Sequence, residues 1–158
     1  MKILISSCLL GNVVRWNNQS KLNQDLIQWA QENGIELVPI CPENELYGTP
    51  RSTIRLIQAD ERLQATFEGR DIADELREKC QELAQRYSDA LGFIGIHGSP
   101  SCGINVGVKN LGKTTKGFMH KAASHLPTTE SNMLRGQENR DIFLKRVKKP
   151  LDKENNKK

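Results

Sequence analysis

Long apolar runs are missing from this 158-residue chain. No stretch approaches the roughly 18 apolar residues in a row that a membrane-spanning helix needs, which excludes that class of protein. The chain also lacks a basic segment followed by a long apolar one and opens instead on the strand-like Met1–Ser6, so a cytoplasmic protein with no membrane partner is expected. Aromatic residues are scarce at 5%, but AVILMFWYC residues reach 37%, enough for one core, and the length suits one domain. A surplus of charge of one sign is nearly absent: the net +4 is too small to mark a nucleic-acid binder by itself. That surplus sits between residues 141 and 158, where seven basic side chains face three acidic ones, leaving the rest balanced. The expected division is a domain over 1–150 and a basic polar tail over 151–158, a solvated terminus also able to touch RNA.

Chemical signatures are equally sparse. There is no C-x-x-C pair, no H-E-x-x-H, no G-x-S-x-G, and no G-x-G-x-x-G after the first strand. Their absence removes the usual zinc, ferredoxin, metalloprotease, serine-hydrolase and dinucleotide-binding readings. Gly107 to Thr114 matches G-x-x-x-x-G-K-[ST] literally, but it does not follow the first strand and is read as a chance match.

What the chain does have is an order of elements. Residues 2–6 read as a buried strand, followed by a helix from about Ser20 with Leu22, Leu26, Trp29 and Ala30 on one face, a stop at Gly34, and a strand over 35–40. Residues 44–70 show no sustained period and read as irregular structure over a site, long enough to hide a short helix. Asp71 can cap a helix carrying Ile72, Leu76, Cys80, Leu83 and Tyr87, and Leu91 to His97 form a third strand with Gly92 and Gly95 allowing close backbone approach. A last helix with Ile142, Phe143 and Val147 should end before Pro150. The fold class expected is α/β: a three-layer α/β/α arrangement around a mostly parallel, Rossmann-like sheet.

Cys8, Cys41 and Cys102 each follow the carboxyl end of a predicted strand. In a parallel sheet those ends open on one side, where ligands collect, so three thiols distant in sequence can share a site. Thiolates are soft ligands suited to zinc or to iron and sulfide, and three of them leave one coordination position open. Three unrelated thiols remain the alternative. Cys80, inside a helical apolar stripe, is read as core. Around the three, Glu43 stands two residues from Cys41, Ser99 and Ser101 flank Cys102, and Arg15 and Arg51 occupy neighbouring loops where they could bind an anion or a carbonyl.

These stretches, Ser7-Cys8-Leu9-Leu10-Gly11 with Val14-Arg15, Val38-Pro39-Ile40-Cys41-Pro42-Glu43, Thr49-Pro50-Arg51, Glu68-Gly69-Arg70-Asp71 and Ser99-Pro100-Ser101-Cys102-Gly103, resemble the DUF523 family, which includes thiouracil desulfidases. The resemblance implies a [4Fe-4S] cluster held by Cys8, Cys41 and Cys102 with one iron free, catalytic roles for Glu43 and Ser101, and substrate contacts from Arg15, Arg51 and Ser99. It implies hydrolysis of the C=S group of a thiolated pyrimidine base or nucleoside with release of hydrosulfide. A monomer or small homo-oligomer is expected, and the lysine-rich segment from Ile104 onward makes RNA a further candidate partner. A sulfur-handling module without catalysis and a zinc-binding structural protein are the alternatives. The chain departs from the family pattern where V-R-Y-D-G reads Val14-Arg15-Trp16-Asn17-Asn18, and where a basic-acidic-basic triplet reads Ile96-His97-Gly98.

Overall fold

The computed structural model describes residues 1–157. Strand β1 (Lys2–Ser6) runs into a 3₁₀ turn, Ser7–Leu10, and helix α1 (Gln24–Glu32) carries the chain to β2 (Glu36–Ile40), which pairs parallel to β1. The first helix begins later than the apolar spacing predicts: Asn23 caps it by accepting from the Leu26 amide, and Leu22 is left outside it and exposed. A carboxamide that satisfies a free helical N–H outweighs one apolar side chain at the right spacing.

The stretch predicted to be irregular is ordered. It holds helix α2 (Pro42–Tyr47), β3 (Arg55–Ala59), β4 (Arg62–Phe67) and β5 (Arg70–Asp71). Both hairpins close through two-residue turns, Asp60-Glu61 and Glu68-Gly69, whose residues all have positive φ. That geometry matches the twist of paired strands but is usually announced by Asn-Gly or Asp-Gly. Asp60-Glu61 carries no such signal.

Helix α3 (Ala73–Arg86) follows, its first amide taken by the Asp71 carboxylate at 3.0 Å, and β6 (Phe93–Gly95) is a shorter strand than expected. Then come β7 (Val106–Val108), β8 (Lys113–Thr115), α4 (Phe118–Ala122), β9 (Thr128–Glu130) and α5 (Gln137–Asn155). The Gly107–Thr114 match is therefore the β7–β8 hairpin, with no helix following its glycines to receive a phosphate. Helix α5 passes through Pro150 instead of ending before it. The proline removes one N–H from the ladder, but the carbonyl it leaves free belongs to exposed Arg146, where water can satisfy it. The helix thus enters the stretch expected as a tail, whose last residue, Lys158, lies outside the described residues.

Two sheets result. One is fully parallel, in the order β2-β1-β6-β9; the other is mixed, in the order β5-β4-β3-β7-β8. Alternation along β1 decides the layers: Ile3 and Ile5 join Leu26, Trp29, Phe143 and Val147 of α1 and α5 on one face, while Leu4 joins the core built from α3 and α4 on the other. This gives the three-layer α/β/α arrangement, with the mixed sheet added outside α3 through Leu56, Ala65 and Phe67. Cys80 is fully buried within that second core. Among the described residues no helix is long and apolar enough to cross a membrane. The chain leaves β1 toward β2 and later returns to the opposite neighbour, β6, so the order switches between β1 and β6, and a crevice opens beyond their carboxyl ends.

Candidate active site

Cys8 lies in the 3₁₀ turn directly after β1. Its carbonyl accepts from the amides of Gly11 and Lys21, fixing the turn against the loop that carries Arg15. Cys41 follows β2 and occupies the N-cap of α2, with Pro42 at the first helical position, a place suited to its fixed φ and missing N–H. Cys102 follows β6 in a loop held on three sides. The Ser99 hydroxyl accepts from the Cys102 amide at 3.1 Å, and the Gly117, Phe118 and Met119 amides donate to the carbonyls of Gly103, Pro100 and Ser101. His120 completes the cradle: its Nε2 donates to the Cys102 carbonyl at 2.8 Å, which fixes the ring's tautomer. Two glycines permit this packing. A Cβ on Gly95 would stand 1.7 Å from the Cys102 carbonyl oxygen, and one on Gly117 2.7 Å from that of Ser101.

All eight residues singled out in the sequence, Cys8, Arg15, Cys41, Glu43, Arg51, Ser99, Ser101 and Cys102, line one cavity of about 360 Å³ at the β1/β6 crevice. That volume lies within the roughly 300–1,000 Å³ of small-molecule sites. Glu43, buried in the first turn of α2, receives the Ser101 hydroxyl on Oε1 at 2.8 Å and the Arg51 guanidinium on Oε2 at 3.1 Å. Arg51 is itself committed: its Nη1 donates to the carbonyls of Val14 and Gly48, and its side chain is only 4% exposed. It braces Glu43 and ties the Arg15 loop to α2. Arg15 is half-buried at the cavity, beside Cys8, whose thiol its charge acidifies.

Burial nevertheless dominates the thiols. Loss of solvent pushes Cys8 up to about 11 and Cys102 up to about 12, each raised further by the proximity of Cys41. Cys41 is raised too, by burial first, against the pull of the Asn44 and Glu43 amides at the helix start. Metal uptake here must displace these protons.

Among the described residues, no three His, Cys, Asp or Glu side chains gather closely enough to grip a single ion. Three thiols nevertheless line one cavity, where they could serve as ligands. The donor chemistry agrees, being soft sulfur with nearby arginines to offset negative charge. Ser6 at the end of β1, whose buried Oγ has no hydrogen-bond partner, also faces this cavity. The residues present therefore fit an iron–sulfur group.

Sequence reasoning passed over Ser6, Thr53 and Ile54 on the cavity wall, and noted Trp16 and His97 only as departures from a pattern. Ser6 and His97 lie at or just beyond strand carboxyl ends, the same positional signal that pointed to the cysteines. Thr53 and Ile54 lead into β3, which went unrecognised.

Comparison with known proteins gives the fold and the family. A solved structure described as the [4Fe-4S]-dependent thiouracil desulfidase TudS has a TM-score of 0.66 to this chain at 24% identity, covering 84% of this chain and 92% of that one, which shows a shared fold. No curated protein matches the chain. The family model for 2-thiouracil desulfurase matches residues 3–130, a span that includes all three strand-end cysteines, Glu43 and the Ser99–Cys102 loop, and the chain belongs to that family.

Proposed function

We propose that the protein is a desulfidase that hydrolyses the C=S group of a thiolated pyrimidine base or nucleoside and releases hydrosulfide, using a [4Fe-4S] cluster held by Cys8, Cys41 and Cys102. The observation that carries this reading is the hydrogen-bonded row Arg51–Glu43–Ser101 on the wall of the cavity that the three cysteines also line. When bound, such a cluster supplies an iron with an open position, a Lewis acid selective for soft sulfur.

The chain's own residues supply the rest. Among the described residues Glu43 is the one carboxylate lining the cavity, and its Oε1, engaged there by Ser101 alone, is the atom able to take a proton from an attacking water. Arg51 holds the carboxylate in register through Oε2, so the base cannot rotate away. The Ser101 hydroxyl lies between Glu43 and Cys102 and can turn to donate to the substrate as charge develops on it. Arg15 and Ser99 stand at the same wall to receive the polar edge of a ring.

Anaerobically reconstituted protein should release hydrosulfide from 2-thiouracil or 4-thiouridine. Glu43→Gln should abolish release while leaving iron and sulfide content unchanged, whereas Cys102→Ser should lower that content. A fully loaded protein that releases no hydrosulfide from any thiocarbonyl pyrimidine would refute the proposal.

A further inference from the structure

Glu130, the last residue of β9, is fully buried, although the hydrolysis as described gives it no task. Its Oε2 accepts from the Ile104 amide at 2.6 Å, two residues beyond Cys102, and its Oε1 faces Nδ1 of His97 at 3.4 Å. Among the described residues His97 is its only ion-pair partner. A buried carboxylate without a countercharge is strongly destabilising, so the carboxylate favours a ring with a proton on Nδ1. His97 for its part lines the cavity with Glu43 and Ser101, and its side chain is 62% exposed. With Nδ1 turned to Glu130, Nε2 is the ring nitrogen left for a ligand. A buried acid that fixes the tautomer of a histidine at a cavity wall is an arrangement for moving protons. The 3.4 Å separation is long, as such bonds are before substrate closes on them.

We infer that His97 is a catalytic proton shuttle for the hydrolysis and that Glu130 is its positioning residue, which rests on the desulfidase reading above. The chemistry balances without any change of oxidation state. Water's oxygen bonds to the thiocarbonyl carbon as Glu43 takes one water proton, and the imidazolium of His97 protonates the sulfur through Nε2. The C–S bond then breaks, hydrosulfide departs, and the remaining hydroxyl proton returns to Nε2 as the C=O forms. Glu43 releases its proton to solvent. His97 ends each turnover in the state in which it began, and Nδ1 keeps its proton throughout.

His97→Ala should cut turnover roughly a hundred- to ten-thousand-fold, the range for loss of one acid–base group, with KM and iron content little changed. Added imidazole should restore part of the rate. A histidine that only packs or only binds substrate would give no such rescue, and its absence would overturn the catalytic role. Nitrogen-15 NMR of histidine-labelled, metal-free protein reads the positioning role without any turnover. The neutral His97 ring should carry its proton on Nδ1 in the wild type and lose that preference in Glu130→Gln, whose amide cannot accept from both Ile104 and His97. A ring with no Nδ1 preference in the wild type would overturn the dyad. Because this last measurement needs neither cluster nor substrate, it also separates failure of the dyad from failure of the desulfidase reading.

Discussion

At Gly95 the missing side chain does structural work that bears on chemistry. The Cys102 carbonyl sits where a Cβ would be, and His120 Nε2 lies 2.6 Å from the same point. Since the clashing atom is backbone, no rotamer change can relieve it. Gly95→Ala should therefore displace the Cys102 loop from β6 and lower iron content after reconstitution at least severalfold, while far-ultraviolet circular dichroism changes little; iron content equal to wild type would show that the loop can move aside at no cost. Trp16 offers a second test at the same scale. It is 46% exposed at the cavity, whereas the other tryptophan, Trp29, is buried in the opposite layer with Ile3 and Ile5. Indole emission should be quenched when thiouracil enters the metal-free cavity, because a planar ring beside Trp16 stacks on it. Trp16→Phe should remove that signal, and persistence of quenching in the variant would place the ligand elsewhere.

Among elements, β1, β2 and β6 of the parallel layer were readable while β9 and the mixed sheet were not, for physical reasons. Strands β1 and β2 are short apolar runs on either side of an amphipathic helix, so period and length agree. Because parallel pairing aligns the carboxyl ends of strands, reading those strands also brought Cys8, Cys41 and Cys102 to one mouth of the sheet. The inward set Leu63, Ala65 and Phe67 of β4 does alternate, but its small middle member and the polar residues between blur the pattern. The turn before it hides itself further by placing Asp60 and Glu61 at φ 49° and 60° without a glycine. What the sequence did not announce is the return of α4 onto the cysteine loop, made by backbone amides and by the His120 ring at no spacing that a motif would mark. The hairpin carries its own prediction. A left-handed conformation costs an ordinary residue about 1–2 kcal/mol and glycine almost nothing, partly offset by glycine's greater freedom when unfolded. Glu61→Gly should therefore stabilise the protein by about 0.5–1 kcal/mol in denaturant titration, and a loss of stability would mean that the Glu61 side chain makes a compensating contact.

Across the whole molecule, Tyr47 ties α2 to the mixed sheet and to α3 behind the site. It ends α2, the helix that carries Glu43, and its ring stacks on Phe67 of β4 with centroids 4.4 Å apart. Its hydroxyl donates to Glu75 of α3 at 2.7 Å, and Arg70 of β5 both pairs with Glu75 and lies over the ring. Burial, then the bond to Glu75, raises the Tyr47 phenol well above its usual 10.0, while the hydrogen bonds from Tyr47 and Arg70 hold the Glu75 carboxyl below its usual 4.5. The two shifts act at opposite ends of the pH scale. Above pH 10 the unfolded chain loses the phenolic proton while the folded chain keeps it, so the contribution of Tyr47 is full below pH 10 and falls as pH rises. Below pH 4.5 the unfolded chain protonates Glu75 while the folded chain resists, so that contribution is full above pH 4.5 and falls as pH drops. Tyr47→Phe keeps the stacking and removes the shared bond. It should cost about 0.5–1 kcal/mol near neutrality, the low end for a hydrogen bond because the pair is partly exposed. Chemical unfolding from pH 3 to 11 would check this: the gap between wild type and variant should narrow beyond pH 10 and below pH 4.5, and a gap constant across the range would mean that the bond contributes nothing to either shift.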